Sequence, residues 1–185
     1  MEKTVFGFSQ SASSELLKIA RKTLNHVVGK SDSFNINEIE NAELHKCYGA
    51  FVSLYCKNEL RGCIGTFSSS TKLYEAVIRM TEEAATHDYR FESINPAELD
   101  QIKIEISVLS PLNRIQSIDE FELGKHGIYI KKGFNSGTFL PQVAYKTNWD
   151  KEEFIAHCSN DKAGIGWNGW REAELYTYEV FIIKE

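Results

Sequence analysis

The stretch Ala50–Thr66, AFVSLYCKNELRGCIGT, decides the fold of this chain because it reads as two strands joined by a turn. The segment from Ala50 to Cys56 is rich in β-forming residues, which predicts a strand with Val52, Leu54 and Cys56 on one face and Phe51, Ser53 and Tyr55 on the other. Lys57-Asn58-Glu59 has the composition of a turn, and Leu60 to Thr66 predicts the returning strand. The sequence therefore predicts an antiparallel hairpin in the first half of the chain.

The second strand, LRGCIGT, is unusual because an arginine, a cysteine and two glycines fall within five residues. Strand alternation places Arg61, Cys63 and Gly65 on one face, with Gly62 and Ile64 on the other. Glycine lets another backbone or a ligand approach closely. A thiol beside a fixed cation is favoured as the thiolate. The stretch either shapes a functional site or lets another part of the backbone pass unusually close to the strand.

Helical periodicity appears in three segments of the chain. Ser11 to Val28 and Thr71 to Thr86 each carry a continuous apolar stripe, and Asp150 to Cys158 begins with a capping-box pattern. A short helix is also predicted from Asn95, because Pro96 follows at the first helical position and Glu98 at the third. The polar segment Ser31 to Glu43 predicts a connection.

The other predicted strands follow one another as hairpins and do not alternate regularly with helices. Gln101 to Leu109 alternates apolar and polar residues, which is typical of a sheet with one solvated face. Gly127 to Lys131 and Thr138 to Val143 predict a second hairpin, and Glu174 to Ile183 predicts a final strand. These patterns predict an α+β fold, in which helices pack on a largely antiparallel sheet.

The composition sets limits on the class of protein. A chain of 185 residues with 42% hydrophobic content predicts one domain, residues 1–185, that can carry a smaller lobe. The net charge is -5 and no basic run occurs, so nucleic acid is not an expected partner. No apolar stretch is long enough to span a membrane. Met1 to Gln10 lacks the features of a signal peptide, which predicts a cytoplasmic protein.

The four cysteines show no CxxC pair, so a zinc knuckle or a thioredoxin-like motif is not indicated. In a reducing cytosol they are expected to be free thiols. No set of His, Cys, Asp and Glu has metal-ligand spacing, and phosphate-loop and dinucleotide fingerprints are absent. The sequence therefore predicts neither a metal site nor a cofactor.

The motif at Leu60–Thr66 resembles the hallmark of the AMMECR domain, the AMME syndrome chromosomal-region candidate protein family. Further segments resemble the family in the same order along nearly the whole chain: His87–Phe91, Ile104–Ser110, Gly124–Gly127, Leu140–Ala144, Trp149 and Lys162–Gly164. One departure is Tyr89, which stands where the family usually has proline. So many ordered matches make the resemblance specific.

The resemblance implies a two-lobed fold, with a larger lobe that contains both termini, a smaller lobe and a cleft between them. It implies no particular reaction, because the biochemical activity of the family is not established. In many prokaryotes the domain accompanies a Memo-type protein and a radical-SAM protein. The resemblance therefore implies a shared pathway and makes proteins of these two types candidate partners.

Cys63 has two interpretations. As a nucleophile it would have its thiolate fraction raised by Arg61, with His87 or His126 as the general base. His87 stands next to Asp88, whose carboxylate could orient its ring. As a packing residue, Cys63 would simply fill a crowded, glycine-rich strand.

The remaining candidates are ligand-binding residues. Arg61 could hold a carboxylate or phosphate, or pair with a nearby acid such as Asp88. Asp88 and Arg90 could order the loop after the second helix, and Gln142 could bond a ligand or satisfy buried backbone groups. Gly62 and Gly65, the two glycines of the motif, complete the candidate ligand-binding residues.

Two functions remain open from the sequence. In the first, LRGCIGT and Leu140 to Ala144 line a groove that binds a small ligand or a partner protein. In the alternative, the protein is a cysteine-dependent enzyme of acyl or group transfer with Cys63 as nucleophile. The missing Cys-His-Asp order favours the binding module.

Overall fold

The computed structural model describes residues 6–29, 39–67 and 70–185. Residues 1–5 therefore lie outside the described residues, as do residues 31–38 of the predicted connection from Ser31 to Glu43. The chain divides into two compact units, Met1–Leu109 with Phe181–Glu185, and Ser110–Val180. Within the described residues each unit has its own four-stranded sheet. The predicted α+β class is confirmed, although the strands form two sheets.

The first unit packs two helices on a sheet with the strand order β2-β1-β3-β8. Its elements are α1 Gln10–Val27, β1 Gly49–Cys56, β2 Glu59–Thr66, α2 Leu73–Thr86, β3 Ile102–Leu109 and β8 Val180–Lys184. Val52, Leu54 and Ile104 lie on one face of the sheet and are almost completely buried with apolar residues of α1 and α2. This helix-covered face is the core of the unit.

The hairpin of β1 and β2 forms as predicted, but its turn is tighter than predicted. Lys57 and Asn58 both have positive φ, 51° and 69°, as expected of a two-residue hairpin loop that matches the twist of the strands. The register also shifts within the hairpin, because Leu54 pairs with Gly62 whereas Tyr55 pairs with Leu60. One residue of β2 therefore has no partner on β1.

That extra residue is Arg61, which forms a β-bulge. The predicted alternation, with Arg61 on the face of Cys63 and Gly65, therefore breaks at Arg61. Cys63 and Gly65 pair with Ser53 and Phe51, and they share the sheet face opposite the helix-covered core.

The second unit has the strand order β4-β7-β5-β6 and one α-helix among its described residues. Its elements are β4 Asn113–Ile115, β5 Gly127–Lys132, β6 Asn135–Phe139, α3 Lys151–His157 and β7 Glu174–Tyr178. Asp150 and Glu153 form the expected capping box at the start of α3. The helix continues as one wide π-helical turn, Cys158–Lys162, a distortion that often marks a functional region.

Two predicted strands of this region end earlier than the pattern suggested. The strand predicted over Thr138 to Val143 stops at Phe139, because Pro141 has no N–H for a sheet and begins the 3-10 helix Pro141–Lys146. The predicted final strand splits at Glu179. Its N–H donates to Ser110 Oγ and its carbonyl accepts from Ser110 N–H, both at 2.9 Å.

The helix predicted from Asn95 is also absent from its predicted position. Asn95 begins a turn by accepting a 3.0 Å hydrogen bond from Ala97 N–H, and the regular element that follows is the 3-10 helix Leu99–Gln101.

Candidate functional site

Cys63 lies on β2, which is an edge strand of its sheet. Its N–H donates to Asp88 Oδ2 at 2.8 Å, and its carbonyl accepts from Arg90 Nη2 at 2.9 Å. Asp88 and Arg90, which we call the edge clamp, thus supply the partners that a further strand would give. Unpaired edges invite association with other chains, so the clamp also protects the sheet at this point.

The edge clamp is held together by its own ion pair. Asp88 Oδ1 accepts from Arg90 Nε at 2.8 Å, and Asp88 Oδ2 accepts from Arg90 Nη2 at 2.6 Å. Asp88 is only 4% exposed. Hydrogen bonds from the Arg90 side chain, and then from the Cys63 and Arg90 N–H groups, lower the pKa of Asp88 to about 2. Its carboxylate is therefore charged near neutral pH and is a weak base.

The Cys63 thiol is half-buried on the sheet face that lacks the helices. Its Sγ accepts a hydrogen bond from Ser53 Oγ at 3.3 Å, across the β1–β2 pair. Among the contacts described for Cys63, none involves a histidine. The described residues also contain no group of three or more His, Cys, Asp or Glu placed to hold a metal ion.

Arg61 is engaged by the segment that follows the edge clamp. Its Nε donates to Glu98 Oε1 at 2.8 Å and its Nη2 donates to Glu98 Oε2 at 3.2 Å, a two-pronged ion pair. The same guanidinium donates to the carbonyls of Glu92 and Ser93. Arg61 holds the pKa of Glu98 below its usual value. Its acidic partner is therefore Glu98, whereas the sequence suggested Asp88.

The two glycines of LRGCIGT make room for packing. A Cβ at Gly62 would lie 2.1 Å from the carbonyl oxygen of Ala84, near the end of α2. A Cβ at Gly65 would lie 2.1 Å from a ring carbon of Phe51. Within this unit, helix backbone and an aromatic ring occupy the space that the sequence assigned to a ligand. A role for either glycine in ligand binding stays a prediction.

The two candidate bases have partners near them in sequence. His87 ends α2 with a side chain that is 63% exposed, and its Nδ1 lies 2.8 Å from Thr86 Oγ1. His126 belongs to the second unit, where its Nδ1 accepts from Glu122 N–H at 3.1 Å. Cys63 belongs to the first unit together with His87, and the described contacts of these two residues do not join them. A catalytic role for either histidine stays a prediction.

Gln142 lies in the 3-10 helix Pro141–Lys146 of the second unit. Its Oε1 is buried and has no hydrogen-bond partner among the described residues. A buried carbonyl oxygen without a partner is costly, and a hydrogen bond from a ligand N–H or O–H group would remove that cost. The predicted role of Gln142 in binding therefore remains a prediction with a structural basis.

Sequence reasoning missed two members of the Cys63 region. A regular register counted from the two-residue turn would have paired Ser53 with Gly62, and the bulge at Arg61 is what brings Ser53 opposite Cys63. Glu98 was recognised only as part of a helix-start pattern, and its Oε2 does accept from Asn95 N–H at 3.0 Å. Its second role, as the partner of Arg61, depends on a tertiary contact between residues 37 positions apart.

The comparisons with known proteins agree with the motifs. The AMMECR1 family model matches residues 17–183. Protein MK0488 of Methanopyrus kandleri is 34% identical over 181 residues, which cover 92% of this chain and 86% of that protein. Protein NEQ441 of Nanoarchaeum equitans is 34% identical over 180 residues, covering 92% and 98%. These names state no activity.

One solved structure is similar over nearly the whole chain. The crystal structure of the uncharacterised protein PH0010 from Pyrococcus horikoshii matches with a TM-score of 0.88 and 29% sequence identity. The match covers 96% of this chain and 93% of that one. Among the described helices, none is both long and apolar enough to cross a membrane.

Proposed function

This chain belongs to the AMMECR1 family, and we propose that it is a binding module that recognises a partner protein beside the LRGCIGT strand. One observation carries the proposal: the charged groups around Cys63 are already engaged inside the protein. Arg61 holds Glu98, and Asp88 holds Arg90 and the Cys63 backbone. The described contacts of these groups therefore link them to one another and to the backbone.

The contacts around Cys63 lend no support to the cysteine-dependent alternative. A nucleophilic thiol needs a general base within hydrogen-bond reach, and the described partner of the Cys63 sulfur is a serine hydroxyl. Asp88 is too acidic to act as that base, with its pKa at about 2. No activity is established for the AMMECR1 domain, and a binding role fits these contacts better than catalysis does.

Two exposed apolar side chains next to the site suggest the kind of partner. Tyr89, between the two residues of the edge clamp, is 94% exposed, and Leu60 at the start of LRGCIGT is 38% exposed. A tyrosine fixed on a rigid backbone contributes large contact area at low entropic cost and is enriched at protein interfaces. We therefore propose that Tyr89 is the central contact with a partner protein.

The resemblance of the chain to its family supplies candidate partners, a Memo-type protein and a radical-SAM protein. A net charge of -5 supports the view that nucleic acid is not the partner. The four free thiols support a reducing, cytoplasmic location. These assignments belong to the proposal.

The test measures binding of the purified Memo-type and radical-SAM proteins to four variants by calorimetry. We expect Tyr89→Ala to weaken binding by about tenfold or more, since interface tyrosines are common hot spots. Arg61→Ala should also weaken binding because it releases the segment that carries Glu98. Cys63→Ser should leave binding within about twofold of wild type.

The matched control is Arg79→Ala, which removes an exposed arginine of α2 that has no described side-chain contact. It should change nothing, and melting temperatures of all variants show which ones remain folded. The proposal fails if Tyr89→Ala binds like wild type, or if Cys63→Ser abolishes binding while the fold is intact. It also fails if neither candidate protein binds the wild type.

A further inference from the structure

The second unit contains a solvent-open groove of about 520 Å³ that none of the predicted site residues lines. We call it the tryptophan groove, and its principal lining residues are Asp150, Glu152, Glu153, Trp167, Trp170 and Arg171. The volume lies within the range of small-molecule sites. The lining combines indole rings with carboxylates, a set of groups that suits a cation.

Trp167 forms an exposed platform in this groove. Its residue is 45% exposed, yet its ring is fixed against His157, with the two ring centroids 4.8 Å apart. His157 in turn stacks on Trp149, with centroids 3.7 Å apart, and its Nδ1 contacts Asp161 Oδ2 at 2.9 Å. Ordering an aromatic surface in advance lowers the entropic cost of binding.

The groove already contains an example of the recognition that we infer. The guanidinium carbon of Arg171 lies 4.3 Å from the centre of the Trp170 ring. The Nη2 atom of the same guanidinium donates to Glu152 Oε2 at 3.1 Å. An indole face together with a carboxylate oxygen is a strong combination for a planar guanidinium. Next to this contact of Arg171 with Trp170, the exposed ring of Trp167 offers a second indole surface for a guanidinium.

The carboxylates of the groove retain capacity for a further donor. The described hydrogen bonds use Oδ1 of Asp150, Oε2 of Glu153 and Oε2 of Glu152. One oxygen of each carboxylate therefore remains available. With Lys151 and Arg171 as the two lining cations, the lining charge is 2 positive against 3 negative, which favours a cationic ligand.

We propose that the tryptophan groove binds a guanidinium group, stacked on Trp167 and hydrogen-bonded to the free oxygens of Glu152 and Glu153. The group would come from an arginine side chain of a protein or from a small guanidino compound. This inference does not depend on the proposed partner surface at Tyr89, because it concerns residues of the other unit only.

The first experiment titrates the full chain with Nα-acetylarginine amide and follows the indole N–H signals of the tryptophans by NMR. We expect the Trp167 signal to shift in a saturable way. Nα-acetylcitrulline amide, the neutral isostere, and Nα-acetylglutamate amide should shift it little. Equal binding of citrulline or preferred binding of glutamate would overturn the proposal, as would a Trp167 signal that does not move.

A second titration identifies the source of the guanidinium by comparing Nα-acetylarginine amide with the tripeptide Gly-Arg-Gly. Equal affinity supports a site for the guanidinium alone, and tighter binding of the tripeptide supports an arginine in a polypeptide. If neither probe binds, the site does not exist.

The variants test the geometry. Trp167→Ala should weaken binding of the acetylarginine probe by about two- to fivefold, the effect of one exposed cation–π contact. Phe134→Ala is the control, because Phe134 is a fully exposed aromatic residue of the same unit outside the groove. A Trp167→Ala protein that binds as well as the control would contradict the proposal.

Arg171→Ala gives the most discriminating result. This change removes the internal occupant, and so frees Trp170 and Glu152 for the probe. We expect the affinity for acetylarginine to rise by about two- to fivefold, and Glu152→Gln to lower it. Weaker binding of acetylarginine by Arg171→Ala would mean that Arg171 helps to hold the probe and does not compete with it, which would overturn the proposal.

Discussion

The edge clamp and the tryptophan groove both pair an arginine with a carboxylate, but the two pairs sit in different environments. The Asp88 side chain is 2% exposed and also accepts from the Cys63 backbone. The side chains of Glu152 and Arg171 are 58% and 54% exposed. Loss of the Asp88 carboxylate would leave the Cys63 N–H without its acceptor, whereas water would replace a lost partner in the exposed pair of Glu152 and Arg171. The same chemistry therefore supports structure in one place and is free for exchange with a ligand in the other.

Asp88→Asn is the substitution with the largest expected effect, and it tests whether the edge clamp stabilises the fold. The neutral amide removes the charge opposite Arg90 and presents a donor where the carboxylate only accepted. We expect a loss of about 2–4 kcal/mol in the free energy of unfolding, measured by urea denaturation. Glu82→Gln on the exposed side of α2 should cost less than about 0.5 kcal/mol. A similar small cost for Asp88→Asn would show that the clamp does not stabilise the edge.

The dependence of stability on acid pH tests the contribution of the buried Asp88 carboxylate more specifically. The pKa of Asp88 is lowered from 3.8 to about 2 by Arg90 and by backbone N–H groups, so the folded state holds its proton less tightly. The resulting stabilisation is complete at pH values above the pKa of Asp88 in the unfolded chain. It is lost as the pH falls through the pKa of Asp88 in the folded protein. The difference in unfolding free energy between wild type and Asp88→Asn should shrink by about 2 kcal/mol between pH 5 and pH 2. A constant difference over that range would contradict the assignment.

The glycines of LRGCIGT provide a smaller contrast inside the first unit. Gly62→Ala would place its Cβ against the Ala84 carbonyl, which is helix backbone and cannot move cheaply, so we expect a cost of about 1–3 kcal/mol. Gly65→Ala meets Cδ1 and Cγ of Phe51, so the whole ring must swing away about χ1, and because a side chain moves more easily than helix backbone this change should cost less. Thermal unfolding of the two variants checks the order. The reverse order would mean that the helix end yields more easily than the ring.

The smallest effect is expected in the tryptophan groove. Arg171→Ala removes an ion pair that is more than half exposed, and such pairs contribute little to stability. The melting temperature should stay close to that of wild type, while the affinity for a guanidinium changes. A large fall in melting temperature would show that this pair is structural, like the edge clamp.

The hairpin, α1, α2 and β3 could be predicted from the sequence because local periodicity and turn residues specify them. The bulge at Arg61 could not be predicted, because no local periodicity marks it and the acidic partner of Arg61, Glu98, lies 37 positions away. The pairing of Ser53 with Cys63 depends on that bulge, because the register of the Cys56–Glu59 pair alone would set Ser53 opposite Gly62. The contact of Cys63 with Asp88 spans 25 positions and has no local pattern.

The second unit was harder to predict for the same reason. Pro141 was included in a strand, although a residue without an N–H is a strong reason to end one. The break at Glu179 depends on its exchange of hydrogen bonds with Ser110, 69 positions away. The tryptophan groove brings α3 together with the segment Trp167–Arg171, so only the folded chain reveals it.

The most direct test of the central claim measures the alkylation rate of Cys63 in the folded protein as a function of pH, read by peptide mass spectrometry. Cys47 is an exposed free thiol of the same unit and serves as the internal reference. The account predicts that the Cys63 thiol, whose described hydrogen bond comes from Ser53, reacts no faster than that of Cys47 at about pH 6. If Cys63 reacts much faster than Cys47 at that pH, the thiol is activated and the account of LRGCIGT as a binding surface is contradicted.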